Sequence, residues 1–216
     1  MLNQDNFLDL IRNFIVFEPV EGRVIKKLAR YQQFRSVHKT IHRLKTGPDR
    51  KQKGGVIWHT QGSGKSLSMV FLTIKIRRDP ALRDYKLVFI TDRRQLHDQL
   101  TATFGRVQDE TVHDAKSIKH LQTLLHNNTP DLITATMQKF QDRSLQDSTQ
   151  LPIDYQPNPS DKIIILCDEA HRTQYGTFAS FMNQVLPNVP KIAFTGTPLI
   201  TTDKTRNEFG SYIDTY

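Results

Sequence analysis

Residues that staple small secreted domains are scarce here. The chain of 216 residues has one cysteine, Cys167, so no internal disulfide can form, and a thiol within an apolar stretch is ordinarily a buried one in a reducing compartment. Ten glycines and ten prolines are too few for a collagenous or low-complexity chain. Long apolar runs are missing as well: residues 163–167 fall far short of the roughly 20 that cross a bilayer. The start, rich in Asn and Asp, does not read as a signal peptide. A cytoplasmic protein with no membrane partner is the expectation. Metal-ligand spacing is also lacking, since the eight histidines form no His-Glu-x-x-His pair and one cysteine cannot build a zinc site. Acids are in deficit: 22 Asp+Glu against 30 Lys+Arg leave a formal net charge of +8, which makes a polyanionic partner plausible and says nothing of the fold.

What is present suffices for one domain or one domain with an appendage, with 37% hydrophobic and 24% charged residues. Phe7, Leu10, Ile11, Phe14 and Ile15 recur at helical spacing, so an amphipathic helix is expected before the Glu18-Pro19 break, its role packing. Residues 23–53 carry eleven Lys/Arg against one acid, Asp49. Val37, Ile41 and Leu44 mark the buried stripe of a helix there, while Arg35, Lys39 and Arg43 fall four apart on another face. That face is either solvated or follows phosphates. After Gly54-Gly55 short apolar runs alternate with helical stretches. Val56-Ile57-Trp58, Leu87-Val88-Phe89-Ile90, Leu132-Ile133-Thr134-Ala135, Ile163-Ile164-Ile165-Leu166 and Ile192-Ala193-Phe194 read as buried parallel strands. Helices are expected over 65–77, 94–104, 118–125 and 178–186, and an exposed connection over 141–161. The alternation predicts an α/β domain with ligands at the carboxyl ends of its strands.

Directly after the first of these strands stands His59-Thr60-Gln61-Gly62-Ser63-Gly64-Lys65-Ser66, followed at once by a helix. Glycines let backbone N–H groups turn toward phosphate oxygens, the helix N-terminus adds positive potential, and Lys65 can reach the β and γ phosphates. Ser66 is the expected Mg²⁺ ligand. His59 stands where the general G-x-x-x-x-G-K-[ST] pattern has its first glycine. The plainer alternative is a Gly-Ser turn that caps a helix. A second constellation is Ile163-Ile164-Ile165-Leu166-Cys167-Asp168-Glu169-Ala170-His171. A buried strand ending in two acids needs a cation or a proton to offset desolvation, and a Mg²⁺-nucleotide supplies the cation. Asp168 is expected on the metal through water, and Glu169 as base or orienting group for an attacking water. A helix N-cap at Asp168 is the structural alternative.

With Phe194-Thr195-Gly196-Thr197-Pro198 following in order, the chain resembles the first RecA-like domain of a superfamily 2 helicase or translocase with a DEAH-type box. Finer stretches resemble the motor and restriction subunit of type I restriction-modification enzymes: Asn13-Phe14-Ile15-Val16-Phe17-Glu18, Arg30-Tyr31-Gln32-Gln33-Phe34, Gly55 through the lysine loop, Thr91-Asp92-Arg93 with Leu96 and Gln99, Thr136-Met137-Gln138-Lys139-Phe140, and Phe209-Gly210-Ser211-Tyr212. The similarity covers essentially the whole chain.

The resemblance implies a RecA-like P-loop NTPase domain over 51–216, a mostly parallel sheet with helices on both faces, preceded over 1–50 by a short helical segment with a Q-motif-like region. It implies ATP and Mg²⁺ at Thr60, Gly62, Ser63, Gly64, Lys65, Ser66, Asp168 and Thr195. Catalytic roles fall to Lys65, Asp168, Glu169 and His171, the last as a polar link toward Thr195. Gln33, with Gln32 as its neighbour, matches the position that reads the adenine edge, and an amide offers the donor and acceptor this needs. Phe17 or Tyr31 could stack on the base, although core packing is the commoner role. Arg93, Arg94, Thr136 and Gln138 match regions that touch the DNA backbone without reading sequence. In this group the strand ending in Thr195 lies between those leading to Lys65 and to Asp168. The implied activity is ATP-driven pumping of double-stranded DNA in a complex with methyltransferase and specificity subunits. DNA cleavage and the second motor domain, with its arginine finger, are expected outside these residues. Alternatives are another superfamily 2 translocase, of type III restriction or repair, and a nucleotide-independent DNA-binding or subunit-docking module built on residues 23–53.

Overall fold

A computed structural model describes residues 3–20, 22–91, 94–104, 111–127, 129–136, 158–168, 182–197 and 209–216. Its elements run α1 Gln4–Asn13, β1 Ile15–Val20, β2 Arg23–Leu28, α2 Tyr31–Thr46, α3 Arg50–Lys53, β3 Gly55–Trp58, α4 Lys65–Arg78, β4 Lys86–Ile90, α5 Arg94–Phe104, β5 Val112–Asp114, α6 Ile118–His126, β6 Leu132–Ala135, β7 Ile163–Asp168, β8 Lys191–Thr195 and β9 Tyr212–Thr215. Seven strands form one sheet in the order β5-β6-β4-β7-β8-β3-β9, and every described pairing in it is parallel.

The apolar strand runs follow from burial on both faces. Leu87 and Phe89 of β4, Ile164 and Leu166 of β7, and Ile192 and Phe194 of β8 face a core shared with α2, α4 and α5. Their alternates Val88 and Ile90, Ile163, Ile165 and Cys167, and Ala193 face a second core with Leu121, Leu124 and Leu125 of α6, and with Met182 and Val185. Both faces are thus covered by helices, as the sequence predicts. Cys167 is buried and free. Helix α4 is buried almost all round, Met69 through Ile74 included, because it lies between the sheet and α2. The expected helix over 178–186 is helical at 182–185, and its earlier part lies outside the described residues. No described helix is long and apolar enough to cross a membrane.

The N-terminal segment departs from expectation. The opening helix ends at Asn13, and Ile15 instead begins a hairpin in which β1 and β2 pair antiparallel, Ile15 opposite Leu28 and Val20 opposite Arg23. Alternating and helical spacing overlap in Phe14-Ile15-Val16-Phe17, and β-branched Ile15 and Val16 suit the extended form. Only the carboxyl end of the expected apolar face packs: Phe14 is fully buried against Phe34 and Phe71, with ring centroids 4.7 and 5.6 Å away. Phe7 and Ile11 are about half exposed, at 52% and 51%.

The stripe of α2 is where expected, with Val37, Ile41 and Leu44 buried. Its basic face stays partly solvated, Lys39 being exposed, and is also tied to the fold. Arg35 and Lys39 bind Asp214, and Arg43 donates to the carbonyls of Gln52, Ser211 and Tyr212. Lys45 pairs with Asp79, Arg50 bonds Asn183, and Lys27 pairs with Glu18. Much of the local positive charge therefore holds the fold together.

Candidate functional site

Strand β3 delivers the chain to the sheet's carboxyl edge, where residues 59–64 turn before α4 starts at Lys65. The turn depends on Gly62 and Gly64, at φ +80° and +81°, a left-handed conformation that side chains disfavour. Gly64 is also crowded: a Cβ there would lie 2.5 Å from Gln33 Nε2. Ser63 Oγ is buried with no hydrogen-bond partner, Thr60 is exposed, and Ser66 in the first turn of α4 is half-buried. Lys65 is buried, and its Nζ donates to the carbonyls of His59 at 3.3 Å and Thr60 at 3.4 Å.

The sheet order brings the other candidates to the same edge. Strand β8 lies between β3 and β7, the arrangement the resemblance implies. Thr195 pairs with Trp58, and Asp168 with Phe194. Strands β3 and β7 are thus two spacings apart, about 10 Å. Gly196, just past β8, closes on the lysine: a Cβ there would lie 3.1 Å from Lys65 Nζ. Asp168 ends β7 nearly inaccessible to solvent, and its Oδ2 accepts the Thr91 hydroxyl at 3.4 Å. Thr195 is fully buried, its Oγ1 accepting the Thr197 N–H at 3.2 Å. Two left-handed glycines before a helix, a buried ammonium and a buried carboxylate fit a Mg²⁺-nucleotide.

Gln33 lies beside the loop. Its amide is buried, with Oε1 accepting the Arg30 N–H at 2.8 Å and Nε2 donating to the carbonyls of Ser63 at 3.3 Å and Gly64 at 3.0 Å. Gln32 is buried too, whereas Phe17 and Tyr31 are exposed. Thr136 follows β6 and is half-buried. Arg94 opens α5, its side chain outside the described residues, and Arg93, Gln138, Glu169 and His171 lie outside them altogether.

Sequence reasoning passed over a buried ionic cluster next to the loop. Asp214 of β9 accepts Arg35 Nη2 at 2.9 Å, Lys39 Nζ at 2.8 Å and bonds His59 Nε2 at 3.0 Å. Burial works against ionisation of Asp214, but the hydrogen bonds from Arg35, Lys39 and His59 prevail and hold its carboxyl below the usual range. Burial pushes the His59 imidazole down despite Asp214, and the hydrogen bond to Asp214 raises Arg35. An acid within the strand Tyr212-Ile213-Asp214-Thr215, set against basic residues four apart on one helix, was the available signal.

Comparison with known proteins gives three findings. The profile of the SWI2/SNF2 ATPase family matches residues 32–216. The chain is 34% identical over its whole length to the type I restriction enzyme HindI endonuclease subunit of Haemophilus influenzae, of which it covers 22%. It spans about a fifth of the length of the curated relatives it matches. Among solved structures, the UvsW helicase of bacteriophage T4 superposes with a TM-score of 0.60 at 13% identity, covering 98% of this chain and 67% of that one. The Sulfolobus solfataricus SWI2/SNF2 ATPase core in complex with dsDNA gives 0.51 at 16% identity, covering 86% and 36%. At such identities these two likenesses concern the fold.

Proposed function

This chain belongs to the SWI2/SNF2 ATPase family, and from that premise we propose that it is the ATP-binding first motor domain of a type I restriction R subunit. The observation that carries the reading is the convergence of Lys65, Asp168 and Thr195 at the ends of three adjacent strands. Residues 60–64 would cradle phosphates with backbone N–H groups, and Lys65 would release its two loop carbonyls to meet the β and γ oxygens. Ser66 and Asp168 would hold Mg²⁺, which when bound neutralises phosphate charge. Glu169 would orient the attacking water, with His171 linking it toward Thr195. Gln33 could read adenine only by exchanging one of its present hydrogen bonds. Arg93, Arg94, Thr136 and Gln138 would touch the backbone of double-stranded DNA. In the whole protein, hydrolysis would drive DNA past a complex with methyltransferase and specificity subunits in the cytoplasm, cleavage being the task of another domain.

The reading is supported by the endonuclease subunit to which the chain is similar from end to end. The nucleotide-independent docking module finds less support, because Arg35, Lys39 and Arg43 are engaged with Asp214 and with carbonyls of their own chain. The test is titration with a fluorescent ATP analogue and Mg²⁺. Lys65→Ala should weaken binding at least about tenfold, and turnover by the chain alone should be slight, because an arginine finger from a second domain contributes about 10³ to 10⁵ in rate. Nucleotide binding unchanged in Lys65→Ala would sink the assignment.

A further inference from the structure

We propose that Asp214 is a positioning residue for the nucleotide loop, acting through His59, and that α2 thereby holds the loop at both of its ends. The inference rests on reading residues 59–66 as that loop. At the entry end, His59 is wholly inaccessible to solvent. Its N–H donates to Thr195 O at 3.1 Å, its carbonyl accepts Lys65 Nζ, and its Nε2 meets Asp214 Oδ2. Arg35 and Lys39 fix that carboxylate from α2. At the exit end, Gln33 of the same helix holds the carbonyls of Ser63 and Gly64. The three residues in between, Thr60, Gln61 and Gly62, are left to turn, and the side-chain anchors at both ends lead back to α2.

A buried ionic cluster is a poor way merely to fill a core, since apolar residues of like volume usually stabilise as well or better. Its use here is geometric. Glycine in place of His59 would leave the loop's first residue with no side chain to hold. Among the described residues the buried imidazole Nδ1 has no hydrogen-bond partner, and Asp214 is the ring's polar anchor there. Without that contact both nitrogens would be buried and unmatched, and the His59 carbonyl that receives Lys65 would lose its fixed place.

The experiment is hydrogen exchange on the nucleotide-free chain carrying Asp214→Ala, which removes the acceptor of His59, read at the bonded amides of His59, Thr60 and Ser63 and, as internal control, at β4. The expected result is exchange about tenfold faster in the loop with β4 unchanged, because a local opening shows only where the restraint was lost. Arg35→Gln keeps the Asp214–His59 contact and Lys39, and should give a smaller rise confined to the same amides. It serves as the deciding variant if Asp214→Ala does not fold. Loop exchange at the wild-type rate, or an equal rise in loop and β4, overturns the proposal. No nucleotide enters this measurement, so a failure of ATP binding and a failure of the positioning role are read separately.

Discussion

Gly62 and Gly64 share a backbone conformation but differ in surroundings, which separates two physical effects. A Cβ at Gly62 would meet nothing within 4 Å, whereas one at Gly64 would meet Gln33 Nε2 at 2.5 Å. Gly62→Ala should therefore lower stability only by the left-handed backbone penalty, about 1 to 2 kcal/mol. Gly64→Ala should lower it further by displacing the Gln33 amide. Adding Gln33→Ala to Gly64→Ala should remove the crowding but keep the backbone penalty and add the loss of the hydrogen bonds that Gln33 makes to Arg30, Ser63 and Gly64, as denaturant midpoints would register. A double variant as stable as the wild type would contradict the backbone argument. Sequence alone could anticipate the glycines from the phosphate-loop pattern. It could not anticipate that Gln33 is held by the loop's own carbonyls, because its partners lie 30 and 31 residues away.

At the scale of elements, α2, β3 and β9 meet around Asp214, and their junction should be sensitive to acid. Burial lowers the His59 imidazole from its ordinary 6.5, and His38 is lowered as well, by burial first and then by Lys75. A group whose folded value is depressed binds its proton more readily when unfolded, so its stabilising contribution is present above 6.5 and fades as pH falls. Asp214 has the same sign in a lower window: burial alone would raise it, the bonds from Arg35, Lys39 and His59 lower it, and its contribution fades below 3.8. The unfolding midpoint should fall from pH 7 to pH 5, and His59→Gln should flatten that fall. An unchanged slope in His59→Gln would remove His59 from the account.

Of these three elements, only β9 was not legible beforehand. Strands β3, β4, β6, β7 and β8 were readable because burial on both faces makes them apolar without interruption. The α5 bounds match the helix expected over 94–104. Strand β9 carries a charge in its middle, and β5 has three half-buried residues, Val112, His113 and Asp114, so neither offers an apolar run. The hairpin was hidden because Phe14-Ile15-Val16-Phe17 suits either periodicity. In the site, Lys65, Asp168 and Thr195 were readable from local motifs, whereas Asp214 and Thr91 act through partners distant in sequence.

For the molecule as a whole, the count of 30 Lys+Arg overstates the cations free to meet a polyanion. Arg35 and Lys39 share the carboxylate of Asp214, while Lys45 pairs with Asp79 and Lys75 with Asp9. Lys39→Gln should therefore lower stability while leaving the salt dependence of DNA affinity as it was. A cation that truly contacts phosphate contributes about 0.9 to the slope of log K against log salt. A shallower slope in Lys39→Gln would return that helix face to the DNA.

The position of β9 also bears on synthesis. It pairs with β3, a strand translated more than 150 residues earlier, and brings the carboxylate that His59 leans on. While a ribosome is still extending the chain, the loop before α4 is complete in sequence yet lacks the carboxylate that holds its first side chain. A nascent polypeptide should thus acquire its grip on nucleotide abruptly, when residues 212–215 clear the exit tunnel, rather than gradually as the sheet grows.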